Sequence, residues 1–170
     1  MQVSSTASQA LYQALKKVGV DFVVTFPCNW TSILIDFVAG DSDIVHIPVT
    51  REEEGIGVAA GAYLGGKKPA VIMQSSGIGN SLNALASLNL TYNIPLLILI
   101  SHRGVEREKI IAQKGMGEAL RKLLDGVGIE HFDLENPEDI ERILTSALES
   151  ALSRETPVAV ILSPFLLLEE

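Results

Sequence analysis

The 170-residue chain predicts a single α/β domain over 1–170, a three-layer sandwich with helices on both faces of a mostly parallel sheet of about six strands. Three observations carry that prediction. Apolar segments of strand length alternate with segments of helical period along the chain. Several of the strand segments are apolar at nearly every position, as strands buried on both faces are. Apolar residues make up 47% of the chain and aromatics only 5%, so the core they fill is large and aliphatic.

The elements follow in order. Ala7, Ala10, Leu11, Ala14, Leu15 and Val18 recur at helical spacing, and Gly19 stops the run. Asp21 to Phe26 is a short β-rich strand, Pro27-Cys28-Asn29 a turn, and Trp30 to Val38 a helix with Asn29 as its cap. Asp43 to Val49 is the next strand. Thr50 opens a helix in which Thr50 and Glu53 fit a capping box, and Gly65-Gly66 ends it near Leu64. Pro69 to Met73 is a strand, Gln74 to Asn80 a glycine-containing turn, and Leu82 to Asn89 a helix. Pro95 to Ile100 is a buried strand, and residues 101–114 form the longest loop. A short helix over Glu118 to Leu124, a strand over Ile129 to Phe132, a helix opened by Asn136-Pro137 and a strand over Pro157 to Leu162 complete the pattern. The tail at Glu169-Glu170 reads as solvated. Neither an internal repeat nor a linker divides the chain.

Composition excludes several function classes. A formal charge of −8, from 13 basic and 21 acidic residues, lacks the clustered basic charge of a nucleic-acid binder. One cysteine rules out an intrachain disulfide framework. Neither a secretory signal nor a bilayer-length apolar run is visible, which makes the cytoplasm the expected compartment. Three scattered histidines and one cysteine show no ligand spacing, so no metal site is expected on this chain.

In a parallel sheet, sites gather in loops beyond the carboxyl ends of the strands. The polar segments 27–29, 50–54, 74–80 and 101–107 all fall there. Glu52, Glu53 and Glu54 open a helix, where carboxylates complement the helix dipole; equally, one half-shielded from water has the raised pKa a proton relay needs. Gly55, Gly57, Ala59, Ala60, Gly61 and Ala62 behind them permit close approach of another backbone or a flat ligand, or simply helix packing. The segment Gln74-Ser75-Ser76-Gly77-Ile78-Gly79-Asn80 offers amides to an anion, but it is neither a Walker A motif nor a dinucleotide fingerprint. Arg103, with Arg107, Lys109 and Lys114 nearby, either clamps a carboxylate or sulfonate or belongs to a solvated loop. Cys28 reads as a packed thiol rather than a nucleophile, and His46 and His131 as structural histidines.

Taken together, these residues resemble a family. Segment 51–64, R-E-E-E-G-I-G-V-A-A-G-A-Y-L, is similar to the glutamate segment in the pyrimidine-binding domain of thiamine diphosphate enzymes. Q-S-S-G-I-G-N at 74–80 resembles the turn of the phosphonopyruvate and sulfopyruvate decarboxylases, and Phe26-Pro27-Cys28-Asn29 and Ile100-Ser101-His102-Arg103-Gly104 fit the same group. The resemblance implies a thiamine diphosphate-binding fold of the pyrimidine type and a carboxy-lyase acting on a 2-oxo acid, 3-sulfopyruvate by the nearest likeness. A phosphonopyruvate or other 2-oxo acid decarboxylase and a non-catalytic subunit are the alternatives. It implies Glu52, nine residues before Gly61, as the carboxylate that activates the cofactor; anchoring on Tyr63 instead selects Glu53. It further implies Glu52, Pro27, Gln74 and Gly77 at the cofactor and Cys28, Asn29, Ser75, Ser76 and Arg103 at the substrate. The G-D-G motif of the diphosphate-binding domain does not occur, and the one Asp-Gly pair, Asp125-Gly126, follows a leucine. A beta subunit carrying that domain and most of the Mg2+ contacts is therefore implied, in a hetero-oligomer active only when both chains are present.

Overall fold

The computed structural model describes residues 2–169. Six strands form one parallel sheet: β1 (Phe22–Thr25), β2 (Val45–Pro48), β3 (Pro69–Gln74), β4 (Leu96–Ser101), β5 (Glu130–Leu134) and β6 (Pro157–Leu162). Their order across the sheet is β2-β1-β3-β4-β6-β5. Helices α1 (Ser5–Lys17), α2 (Ser32–Ala39) and α6 (Ile140–Arg154) cover one face, and α3 (Glu52–Leu64), α4 (Ser75–Ala84) and α5 (Lys114–Val127) the other. A short α7 (Pro164–Leu167) follows β6. No helix among the described residues is long and apolar enough to cross a membrane.

The unbroken apolar strands are explained by the two cores. On β3 and β4, Ile72, Leu97 and Leu99 join Leu11, Leu15 and Leu34 on one side. Val71, Met73, Ile98 and Ile100 join Ile56, Ile78 and Leu120 on the other. Alternate residues of a strand point to opposite faces, so a strand between two cores is apolar throughout. The edge strand β2 has no fully buried residue, and there the pattern is mixed.

Local departures have physical causes. The capping box of Thr50 and Glu53 does not form: Arg51 is the N-cap and contributes no side-chain cap, which puts Glu53 one position too early. Thr50 Oγ1 reaches Glu54 instead, at 3.5 Å. Residues 75–80 are not a turn but the start of α4, capped by the extended Gln74. Their glycines serve close packing. A Cβ at Gly77 would lie 2.8 Å from Glu52 Cγ, and one at Gly79 would lie 2.7 Å from Met116 Cε. The helix expected over 118–124 runs from Lys114 to Val127 and ends at Gly128 in the left-handed region, while residues 29–31 enter α2 as a 3-10 turn. After α4 the chain widens into a π-helical stretch, Leu85–Leu90, where Asn89 Nδ2 donates to the carbonyl of Ile94 at 3.0 Å.

Candidate active site at the carboxyl edge of the sheet

From β1 the chain crosses to α2 on one face, and from β3 to α4 on the other. The two strands are neighbours, so a crevice opens between their carboxyl ends, the place where parallel sheets hold ligands. Pro27, Cys28 and Asn29 follow β1, Glu52 opens the helix after β2, Ser75 and Ser76 follow β3, and Arg103 follows β4.

Glu52 is 4% exposed although it is a carboxylate at a helix start. Asn80 Nδ2 donates to its Oε2 at 3.0 Å. Oε1 lies where a Cβ at residue 77 would come within 3.1 Å, and no described residue donates to it. Gly77 thus makes the space, Asn80 holds one oxygen, and the other is left for an external donor. Oε1 is not fully enclosed and can be reached from outside the chain, whereas Glu53 Oε2 is enclosed without a partner. The neighbours of Glu52 differ. Glu53 pairs with Arg51, whose Nε donates at 2.7 Å, and its own backbone N–H together with Arg51 holds the carboxyl below its ordinary value. Glu54 is exposed.

A second cluster runs inward from Ser75. Its hydroxyl donates to the carbonyl of Ser101 at 3.2 Å, and Ser101 Oγ lies 3.2 Å from Cys28 Sγ. Arg103 Nη1 approaches the same sulfur at 3.9 Å. The guanidinium stacks on Trp30, with Cζ 4.4 Å from the ring centroid, and its Nε and Nη2 donate to the two oxygens of Glu108 at 2.5 and 2.9 Å. Gln74 Nε2 donates to Ser76 Oγ at 2.8 Å, between the two clusters in sequence. Pro27 and Asn29 are exposed on the rim of a groove of about 420 Å³ that Cys28 and His46 also line.

Three residues of this region have roles that sequence reasoning missed. Asn80 belongs to the segment expected as a turn; in the helix its position three after Gly77 puts both on one face. His46 was read as structural, and it does share a 2.8 Å hydrogen bond with Thr25 Oγ1, but it also lines the groove. Burial pushes its pKa down. Glu108 gave no signal, since its partners are set by the fold of the loop. His102 Nε2 faces the carbonyl of Gly117 at 3.1 Å; a carbonyl only accepts, so this nitrogen carries the proton, and burial lowers the ring's pKa.

The guanidinium of Arg103 holds the Glu108 carboxyl well below its ordinary value of 4.5, at about 2. A depressed carboxyl stabilises the folded loop fully above its unfolded value, and that contribution is lost as pH falls from 4.5 towards about 2. An acid titration followed by the emission of Trp30, the single tryptophan, is expected to show a transition in that window. In Glu108→Gln the transition is expected to disappear.

Residues 5–129 match the family described as thiamine pyrophosphate enzyme, N-terminal TPP binding domain. The chain is 50% identical over 156 residues to sulfopyruvate decarboxylase subunit alpha of Methanococcus maripaludis, covering 92% of this chain and 93% of that one. It is 45% identical over 154 residues to the protein of the same name from Methanocaldococcus jannaschii, covering 91% of each. Among solved structures, 2-oxoglutarate:ferredoxin oxidoreductase from Magnetococcus marinus superposes with a TM-score of 0.77 at 16% identity, over 97% of this chain and 30% of that one. That likeness bears on the fold alone.

Proposed function

The chain belongs to the sulfopyruvate decarboxylase alpha-subunit family of thiamine pyrophosphate enzymes, and from that membership we propose that it supplies the pyrimidine-binding half of an enzyme converting 3-sulfopyruvate to sulfoacetaldehyde and carbon dioxide, in coenzyme M biosynthesis and in the cytoplasm. The observation that carries the catalytic part is Glu52: a buried carboxylate with one oxygen held by Asn80 and the other unpartnered over a glycine. An aminopyrimidine fits that arrangement, because Gly77 gives the Glu52 side chain the room to lie there and Oε1 of the carboxylate lacks a donor among the described residues.

When bound, thiamine diphosphate supplies the carbon nucleophile and the electron sink for decarboxylation. The chain's own residues do the rest. Glu52 holds and exchanges a proton at N1' of the pyrimidine, and Asn80 orients that carboxylate. Gln74, Pro27 and Gly77 border the cofactor. Arg103, with Ser75, Ser76, Cys28 and Asn29, shapes the substrate pocket. The Arg103 guanidinium already binds the Glu108 carboxylate by one edge, so it is not available to substrate as a free fork.

The diphosphate and Mg2+ are held mainly by a beta subunit. Among the described residues no group of three or more His, Cys, Asp or Glu is arranged to hold a metal ion. The outer face of α3 supports close docking: Gly57, Val58, Gly61 and Leu64 are exposed and uncharged, and a Cβ at Gly57 or Gly61 would meet nothing within 4 Å. The test is co-purification from the native source followed by reconstitution. The expected result is a partner containing G-D-G and 3-sulfopyruvate decarboxylation only in the mixture. Activity of this chain alone would refute the divided site, and a mixture active on phosphonopyruvate but not 3-sulfopyruvate would refute the substrate.

A further inference from the structure

Glu108 lies in the segment after β4 and touches neither cofactor nor substrate in the function proposed above, yet its side chain is 2% exposed. Its carboxylate accepts from Arg103 Nε and Nη2 and from the backbone N–H groups of Gly104, Lys109 and Ile110, at 2.5 to 3.3 Å. Such a carboxylate is saturated by its own loop. It neutralises a buried guanidinium without presenting a free lone pair to an incoming anion.

The effect on Arg103 is directional. One edge of the guanidinium is taken by Glu108 and one face by Trp30. Nη1 is left with only the soft, 3.9 Å contact to Cys28 Sγ. Arg103 also lines a pocket of about 170 Å³ together with Asn29, Trp30, Arg107, Glu108, Lys109 and Ile110. Three cations face one saturated carboxylate, in a chain whose overall charge is −8. Lys109 makes no ion pair among the described residues, whereas Arg107 is partly engaged, stacked on Phe165 and donating to the Leu168 carbonyl at 2.9 Å.

We infer that Glu108 is a positioning residue: it locks Arg103 against Trp30 so that the guanidinium is held in one orientation towards an anionic group of the substrate, at a pocket where Lys109 adds the charge that selects a 2-oxo acid bearing a second, strongly acidic anion. The identity of that anion as a sulfonate rests on the function proposed above; the locking of Arg103 does not. Replacing the carboxylate by an amide turns one of its two acceptors into a donor facing donors, loosens the guanidinium, and weakens anion binding even though it makes the pocket more positive.

Trp30 provides a direct readout, because it is the only tryptophan and touches Arg103. Sulfoacetate, which cannot be decarboxylated as a 2-oxo acid, is titrated into the full chain while its emission is followed. A saturable response is expected, with the midpoint raised about tenfold or more in Glu108→Gln. In the assembled enzyme the same variant raises KM for 3-sulfopyruvate by about tenfold while kcat stays within about threefold. An unresponsive wild-type chain overturns the inference. So does a variant that melts earlier at an unchanged midpoint, or one that loses kcat at constant KM.

If Glu108→Gln does not fold, Arg103→Gln is compared with Arg103→Gln combined with Glu108→Gln, which removes the buried cation as well. Equal midpoints are expected if Glu108 acts only through Arg103, and a weaker double variant refutes it. Failure here is separable from failure of the proposed function. A complex inactive on 3-sulfopyruvate whose alpha chain still shows the sulfoacetate shift loses the function and keeps Glu108. An active complex with an unchanged KM does the reverse.

Discussion

Glu52→Gln in the assembled alpha–beta complex is expected to lower kcat by about 10²- to 10⁴-fold, the usual contribution of a positioned proton-transfer group. Glutamine preserves the shape of the side chain and an oxygen for Asn80 Nδ2, now at 3.0 Å from the carboxylate. What it removes is the ability to hold and return a proton. The melting temperature is expected to stay level or rise, because a buried charge with a single amide donor is replaced by a neutral group. Glu53→Gln is the matched control. Its carboxylate pairs with Arg51 at the helix start, where solvent screens the pair and its loss is expected to matter little. Activity within about twofold of wild type is expected for it. A complex that keeps most of its decarboxylase activity after Glu52→Gln rules out the proton relay. Loss in Glu53→Gln instead would move the relay by one residue.

Gly104→Ala is expected to be the most destabilising single methyl addition in the site. Gly104 sits at φ +86°, and a Cβ there would lie 2.0 Å from the carbonyl oxygen of Gln113 and 3.1 Å from Gly117 Cα. Those are backbone atoms, which cannot rotate aside. Gly117 is the other half of the contact, with a Cβ 2.2 Å from the carbonyl oxygen of Arg103. The left-handed backbone and the overpacking together cost about 2–5 kcal/mol. That corresponds to a fall in melting temperature of roughly 4–20 °C for a domain of this size. The strain falls on the segment that orients Arg103, so weaker 3-sulfopyruvate binding is expected to accompany it. Gly115→Ala separates this from a general intolerance of side chains, since a Cβ there meets nothing within 4 Å. In a helix that change removes backbone freedom from the unfolded chain, and a level or higher melting temperature is expected. A Gly104→Ala chain as stable as wild type would show that the loop and α5 can separate at little cost.

Much of this protein was legible before its structure. β4 and β6 could be read from Pro95–Ile100 and Pro157–Leu162, because a strand covered on both faces has no polar position to hide among. Helix ends marked by glycine or proline, such as Gly65-Gly66 and Asn136-Pro137, stood within a residue or so of their observed places. The segments that would carry a site were identifiable for a topological reason. In a parallel sheet every strand ends at the same edge, so the polar stretches after β1, β2, β3 and β4 had to meet there.

The reading went astray where a residue's reason lies in a distant neighbour. Gly77 and Gly79 look like turn residues, but they are glycines because Glu52 and Met116 pack against them. Thr50 and Glu53 have the spacing of a capping box, but the helix starts at Glu52, and a start shifted by one residue removes the geometry the motif needs. Arg103 reads equally as a clamp or as part of a solvated loop, and only the folded loop shows that it is buried with Glu108 along one edge. Periodicity, punctuation and motif are local properties, and they were enough to determine the α/β sandwich and the strand edge where the polar segments gather, while the choice of Glu52 over Glu53 came from the family resemblance. Which oxygen of Glu52 is held by Asn80, why residue 77 has no side chain and which way Arg103 faces depend on contacts 25 or more residues apart or on the path of an irregular loop. Those were decided by tertiary packing, because only the closed fold brings such groups within hydrogen-bonding distance.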